Sequence, residues 1–372
     1  MRTLSVILNI IRSLVGILKY TNNPIECILN YIGAKQTLKL SCKSGLRISS
    51  LSKSDYRWLG TLSNVCLLDK MGYISHLSED TIVVNGIKIP IRDMWIVNTY
   101  FLLITKLRGN IGVNPETNRP YVEFHFKDRL VHFDLPDYRN GWGVLVDTYI
   151  NQDYNVFDVS NKTVVDVGAY IGDTAVFFAL NGAKRVYSFE PHPILYQIAQ
   201  YNIKINKLSN VVRLKNAGVG GHTGQMLLET DEAHLDSSGY VSKFYLPNTK
   251  HFNVPLFDIA ELFDVLDSVD ILKVDCEGCE FEVLRRLYST GKLEDINDGL
   301  VMEVHEGEGL GSISEILDIL SKAGFRCKIY KSFRNGALNL YLIKAWRGWD
   351  EYSSQYCADS TRYSSRGLLY VT

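Results

Sequence analysis

A chain of 372 residues exceeds the usual single-domain size, so two domains are expected. Hydrophobic residues make up 46% and charged residues 22%, the balance of a soluble globular protein with ample core. Lys plus Arg total 40 against 41 Asp plus Glu, and a formal net charge of −1 excludes the basic footprint of a nucleic-acid-binding protein.

The N-terminal twenty residues place Leu4, Ile7, Leu8, Ile11, Leu14, Val15 and Leu18 on one helical face, opposite Ser5, Asn9, Arg12, Ser13 and Gly16. No apolar run there exceeds three residues, so the helix is not expected to span a bilayer. Arg12 interrupts the apolar stretch and no small-x-small site follows, so a cleaved signal peptide is not expected either. With Arg2, Arg12 and Lys19 the helix is suited to lie on an anionic membrane surface. Docking on its own domain or on a partner subunit is the commoner fate of such helices.

Two hairpins follow. Thr81 to Ile91 holds an Asn85-Gly86 pair between β-branched runs, and Val122 to Phe133 alternates on both sides of a Lys127-Asp128-Arg129 turn. Trp95 to Leu107, between them, is apolar enough for a buried helix. Residues 1–150 therefore read as an α+β accessory region that caps a substrate site or binds a partner.

From Val159 the pattern alternates. Strands are expected at 163–168, 185–190, 211–215, 270–275, 299–305, 325–330 and 338–344, with helices near 173–181, 193–206, 257–265, 278–289 and 312–323. That order implies a doubly wound parallel sheet over residues 151–346, with its ligand crevice at the carboxyl ends of the strands. The stretch from Gly218 to Pro255 has little regular pattern and reads as a lid, its His234 to Tyr240 segment rich in hydrogen-bonding side chains, or as a solvated insertion. Residues 347–372 read as a C-terminal extension.

The first strand, Val164-Val165-Asp166-Val167, breaks into Gly168-Ala169-Tyr170-Ile171-Gly172-Asp173-Thr174, a glycine turn opening a helix. The next strand ends at Glu190, 22 residues after Gly168, placed for the two hydroxyls of an adenosine ribose. A dinucleotide fingerprint needs a second glycine where Tyr170 stands, and Asp173 in the first helical turn is ill suited to a pyrophosphate. S-adenosylmethionine carries no phosphate. Asp166 or Asp173 would attract its ammonium, and backbone N–H groups from Gly168 to Gly172 would receive its carboxylate. Ala169, Thr174, Pro191, Asn216 and Ala217 complete the expected cofactor side, at the same ends of the strands.

A second turn, Asp275-Cys276-Glu277-Gly278-Cys279-Glu280, closes another buried strand, and Glu303 and His305 share one face of the next. These acids and the histidine converge where a transferred group would sit, with Asp275 or His305 as the base. No metal is expected among them, although their oxygen and nitrogen atoms are of the kind that bind Mg²⁺ or Mn²⁺. Seven scattered cysteines argue against a disulfide framework and for a reducing, cytoplasmic setting, with Cys276 and Cys279 packed behind the sheet.

The runs V-V-D-V-G-A-Y-I-G-D-T, Y-S-F-E-P-H-P, D-I-L-K-V-D-C-E-G-C-E and V-M-E-V-H resemble the FkbM-type methyltransferases over residues 150–345. The resemblance implies a class I S-adenosylmethionine-dependent methyltransferase with a Rossmann-like seven-stranded sheet whose last strand is antiparallel. It also implies methylation of a hydroxyl on a sugar or other secondary metabolite. Asp166, Gly168 and Gly172 would form the cofactor loop, Glu190 would hold the ribose, and Asp275 and Glu277 would face methyl transfer. The rival readings are a non-catalytic partner subunit on the same scaffold and, less in keeping with Tyr170, a nicotinamide-dependent oxidoreductase.

Overall fold

The structure, a computed structural model, describes residues 2–78, 80–230, 250–307, 309–335 and 338–347. The chain divides into two compact units, Met1–Val146 and Asp147–Thr372. The segment His234 to Tyr240 and the extension beyond residue 347 lie outside the described residues.

In the first unit, α1 (Arg2–Tyr20) packs on α4 (Leu59–Lys70), and α2 (Pro24–Tyr31), a β1–β2 hairpin (Leu38–Ser41, Arg47–Leu51) and the short α3 (Lys53–Tyr56) connect them. Small residues let the two helices approach. A Cβ on Gly16 would lie 2.8 Å from Ser63 Oγ, and one on Gly60 would lie 3.1 Å from Ser13 Oγ. Two three-stranded antiparallel sheets follow: β3 (Ile74–Leu77), β4 (Thr81–Val84) and β5 (Ile87–Pro90), then β6 (Asn110–Val113), β7 (Pro120–Phe126) and β8 (Arg129–Asp134). Asn85 and Gly86, with φ of 46° and 84°, make the two-residue turn between β4 and β5 that their positive φ values favour. The helix expected from Trp95 begins as a 3-10 turn over Ile91–Ile96 and continues as α5 (Val97–Lys106); α6 (Trp142–Leu145) closes the unit.

The second unit is an α/β sandwich around seven strands: β9 (Thr163–Val167), β10 (Arg185–Phe189), β11 (Val212–Lys215), β15 (Val269–Val274), β16 (Ile296–Glu306), β17 (Arg326–Asn335) and β18 (Leu338–Trp346). Their order is β11-β10-β9-β15-β16-β18-β17; β18 runs antiparallel to both neighbours and the pairs before it are parallel. The sheet reverses its winding at β9, so the crevice opens beside the carboxyl ends of β9 and β15. Helices α7 (Asp173–Leu180), α8 (Pro193–Ile205), α9 (Ile259–Val265), α10 (Glu280–Ser289) and α11 (Ile313–Lys322) cover the sheet. Val165, Leu272, Leu300 and Ile343, all fully buried, form its core on the side that also buries Phe281 and Leu284 of α10.

Two expectations need correction. The stretch from Gly218 to Pro255 is not patternless: β12 (Gly218–Gly220), β13 (Gly224–Thr230) and β14 (Lys250–Asp258) form a separate three-stranded sheet in the order β12-β14-β13. The cysteines do pair. Cys42 is bonded to Cys66 and Cys276 to Cys279, leaving Cys27 and Cys327 as thiols among the described residues.

Candidate active site

The first turn is shaped by backbone contact. Gly168 adopts φ +82°, and a Cβ there would lie 1.7 Å from the Asp275 carbonyl oxygen, so the turns after β9 and β15 touch and only glycine fits. The Gly168 and Ala169 amides donate to Phe189 O, the Tyr170 amide to Glu190 Oε2 and the Gly172 amide to Ala169 O. Those four N–H groups are engaged within the protein, against the expectation that the amides from Gly168 to Gly172 would receive a ligand carboxylate.

Glu190 is buried, and its carboxylate accepts the amides of Tyr170 and His192 at 2.8 Å each, one on each oxygen. Burial outweighs these bonds and pushes its pKa up to about 7. A carboxylate has about four acceptor positions, so two stay available to a vicinal diol. The Asn216 side chain donates to Glu190 O and Pro191 O, both at 2.9 Å, and so fixes the chain around that acid rather than facing outward. Ala217 is buried beside it.

Asp166, expected to attract a ligand ammonium, is fully buried and its charge is met inside the protein. Lys273 Nζ lies 3.2 Å from Asp166 Oδ1, while Thr174 Oγ1 and Ser188 Oγ donate to the same carboxylate at 3.1 Å. Lys273 also donates to Val167 O and Gly168 O, the last carbonyl before the glycine turn and the first within it. Burial lowers the lysine's pKa, but Asp166 and then Asp275 outweigh it and the net shift is upward. Asp173 is likewise buried; Thr148 Oγ1 donates to it at 2.6 Å, and burial raises its pKa to about 6.

The second turn gathers the other candidates. Asp275 Oδ2 accepts Tyr154 OH at 2.6 Å and lies 4.0 Å from Lys273 Nζ. Glu280, which a first-turn position would leave solvated, is fully buried. Its Oε1 accepts the Cys276 and Gly278 amides and sits 3.0 Å from His305 Nδ1. His305 Nε2 faces Glu277 Oε2 at 3.3 Å and Glu303 Oε1 at 3.9 Å. Burial lowers the imidazole's pKa, yet Glu277 and Glu280 carry it well above the ordinary value. Glu303 is pushed well above the usual carboxylate range, chiefly by burial and then by Asp275. Ligand atoms of Asp275, Glu277 and His305 lie within 4.8 Å of one another, close enough to share a divalent ion. The Cys276–Cys279 disulfide closes this turn; Cys279 is buried in the core cluster with Phe281 and Leu284 and Cys276 packs against it, so the two cysteines pack in the core as expected but are bonded to each other.

Thus Asp275, Glu277, Glu303 and His305 do converge, and Glu190 stands across the first turn from them. Asp166, Asp173 and Thr174 form the layer beneath. Sequence reasoning passed over Lys273, though it stands in the K-V-D run, because a lysine in a buried strand announces itself only through its partner. It also passed over Thr148 and Tyr154, which precede the first strand in a segment without periodicity.

Residues 166–327 match the family model described as Methyltransferase FkbM domain. Among curated proteins, the ribosomal protein L11 methyltransferase of Bacillus pumilus is 27% identical over 174 residues, 41% of this chain and 56% of that protein. Its counterpart from Anoxybacillus flavithermus is 42% identical over 50 residues, 13% of this chain and 16% of that protein. The chain thus spans little more than half the length of the first relative and far less of the second. Among solved structures, Methyltransferase FkbM from Methylobacillus flagellatus is 17% identical with a TM-score of 0.32, over 50% of this chain and 44% of that one. Magnesium protoporphyrin IX methyltransferase from Synechocystis, solved with bound SAM, is 13% identical with a TM-score of 0.34, over 55% and 79%.

Proposed function

Because residues 166–327 match the Methyltransferase FkbM domain model, we propose that the protein transfers the methyl group of S-adenosylmethionine to a hydroxyl of a sugar or other polyhydroxylated metabolite. The observation that carries this reading is the pairing of two unlike acids across one glycine turn. Glu190 keeps spare acceptor capacity for a diol, and Asp275 stands where a hydroxyl would approach. That donor set fits the nucleoside end of the cofactor, which when bound supplies an electrophilic methyl on a positively charged sulfur.

The chain's own residues then do three things. Glu190, oriented by two amides, holds the ribose hydroxyls, with Pro191, Asn216 and Ala217 shaping the wall around it. Lys273 neutralises Asp166 and ties down the carbonyls of the glycine turn, so the turn is rigid before any ligand arrives. Asp275 accepts the acceptor's proton as the new bond forms; Tyr154 fixes one of its oxygens and leaves the other for substrate.

His305 suits a different role from the base expected of it. Held between Glu277 and Glu280, and charged at neutral pH, it has no proton vacancy to offer and instead balances the acids around the acceptor.

The test is calorimetric titration with S-adenosylhomocysteine, with NAD as control, on wild type, Glu190→Ala and Asp275→Asn. Saturable binding of S-adenosylhomocysteine alone, weakened in Glu190→Ala and retained in Asp275→Asn, supports the reading. Equal affinity in wild type and Glu190→Ala sinks the ribose assignment, and no binding of either ligand leaves a non-catalytic scaffold.

A further inference from the structure

The first helix turns its apolar face outward. Ser13, Gly16 and Ile17 lie on the side that meets α4, where Gly16 sits against Ser63 and Ile17 is fully buried. Ile7, Leu8, Ile11, Val15 and Leu18, spaced by three and four, lie on the other side and are each 45% to 59% exposed. The following helix repeats the pattern, with Ile25 at 71% and Leu29 at 38% exposed, and Ile32, at its C-cap, 66% exposed. Among the described residues, nine of the seventeen exposed large apolar side chains fall between positions 7 and 32. A concentration of that kind on a globular protein marks an interaction surface.

Charge says what covers it. The first fifty residues hold seven of the chain's 40 basic residues, Arg2, Arg12, Lys19, Lys35, Lys39, Lys43 and Arg47, and one of its 41 acidic residues, Glu26. Arg12, Lys19, Lys39 and Arg47 are exposed, and Lys35 pairs with Glu26 at 2.6 Å. A second copy using the same patch would bring this positive excess against itself, since a twofold interface sets like against like. An anionic lipid surface offers both complements at once, apolar chains for the isoleucines and leucines and negative headgroups for the basic rim. No described helix is long and apolar enough to cross a membrane, so the contact lies in the interface plane.

We propose that the α1–α2 face is a peripheral membrane-binding surface that selects anionic lipid. Basic side chains near such a surface raise partition by about fivefold each, and their effect is screened by salt.

The test is sedimentation of the full-length protein with phosphatidylcholine vesicles, with and without 30% phosphatidylglycerol (~30 mol%), at ~0.1 M and ~0.5 M salt. Binding to the anionic vesicles that is at least tenfold (~10-fold) stronger than to pure phosphatidylcholine, and weaker at high salt, is expected. The exposed variant Ile11→Asp with Leu18→Asp should abolish it, and Arg12→Gln and Lys39→Gln should each cost about fivefold. S-adenosylhomocysteine affinity and thermal unfolding of each variant, unchanged from wild type, show that the fold and the crevice are intact. Failure of the wild type to sediment with anionic vesicles overturns the proposal, as does undiminished binding by the double variant. A wild-type dimer that the double variant converts to monomer in sedimentation velocity would also overturn it, by giving the face to a second copy.

Discussion

Glu190 and Lys273 show two ways of keeping a buried charge. Glu190 has amide donors but, among the described residues, no ion-pair partner, and its pKa is pushed up to about 7 against 4.5 for the free side chain. Between those values the folded protein holds a proton that the unfolded chain has lost, so stability falls as pH rises through the window, by about 3 kcal/mol in all. Ribose hydroxyls donate to the ionised form, so binding expels that proton. S-adenosylhomocysteine affinity should therefore rise by up to about tenfold per pH unit below 7 and level off above it. Asp173, at about 6, titrates nearby, so the control is Glu190→Gln, whose affinity should be weak and flat with pH. A wild-type slope retained in that variant would assign the proton elsewhere. Lys273 is the opposite case, a buried cation with Asp166 against it. Lys273→Met leaves Asp166 buried without its partner and should cost about 3–5 kcal/mol in urea unfolding, while pairing it with Asp166→Leu should recover much of the loss. An additive double variant would mean the two groups are not coupled.

At the scale of elements, the contact between the two crevice turns is the constraint that matters most. Gly168→Ala puts a methyl into the Asp275 carbonyl at a positive φ, so the backbone must move and carry the candidate base with it. Gly172→Ala shares the φ but meets only Ala199 at 3.3 Å. The second should cost about 1–2 kcal/mol of stability; the first should cost more and also lower turnover, which thermal unfolding and a methyl-transfer assay would separate. Comparable losses in both would mean that the turns are not locked together. The seven strands of the main sheet were legible because most are short apolar runs closed by a turn, and α8 to α11 because each carries one apolar face; α7, buried over its first six residues, was marked instead by the glycine turn that opens it. The β12–β14–β13 sheet was not, since a three-residue Gly-Val-Gly strand has no pattern and its partner lies over thirty residues on. Helix α4 was hidden for a different reason: Leu59, Thr61, Leu62, Ser63, Val65, Cys66 and Leu68 are all buried, so no polar stripe marks its period. In the crevice the acids were legible as types at strand ends, while their charge partners were not. Neither the Lys273–Asp166 pair nor the Glu280–His305 contact follows from spacing along the chain; both come from the register of β9, β15 and β16.

At the scale of the molecule, the cysteine reading fails in an instructive way. An odd count with scattered spacing argues against a framework, yet pairing depends on which Cα atoms come within reach, and Cys42 and Cys66 lie 5.3 Å apart across a sequence separation of 24. Closing a loop of that size stabilises by about 3 kcal/mol, whereas the Cys276–Cys279 loop is worth less, about 2 kcal/mol, on the same entropy scale. The two bonds also fall in different units. Cys42→Ser with Cys66→Ser should therefore lower a melting temperature by about 10 °C with S-adenosylhomocysteine affinity unchanged, because the crevice residues all lie beyond position 146. Saturating S-adenosylhomocysteine should raise the stability of the unit that binds it by about 3 kcal/mol at a hundredfold excess over Kd (~100 Kd). Differential scanning calorimetry of both proteins, with and without ligand, reads the two effects together. If the serine variant lost ligand affinity as well as stability, the first unit would be part of the cofactor's binding energy rather than separate from it. The proposed division of labour, with membrane contact in the first unit and methyl transfer in the second, would then have to be replaced by one in which holding the lipid surface and holding the cofactor depend on each other.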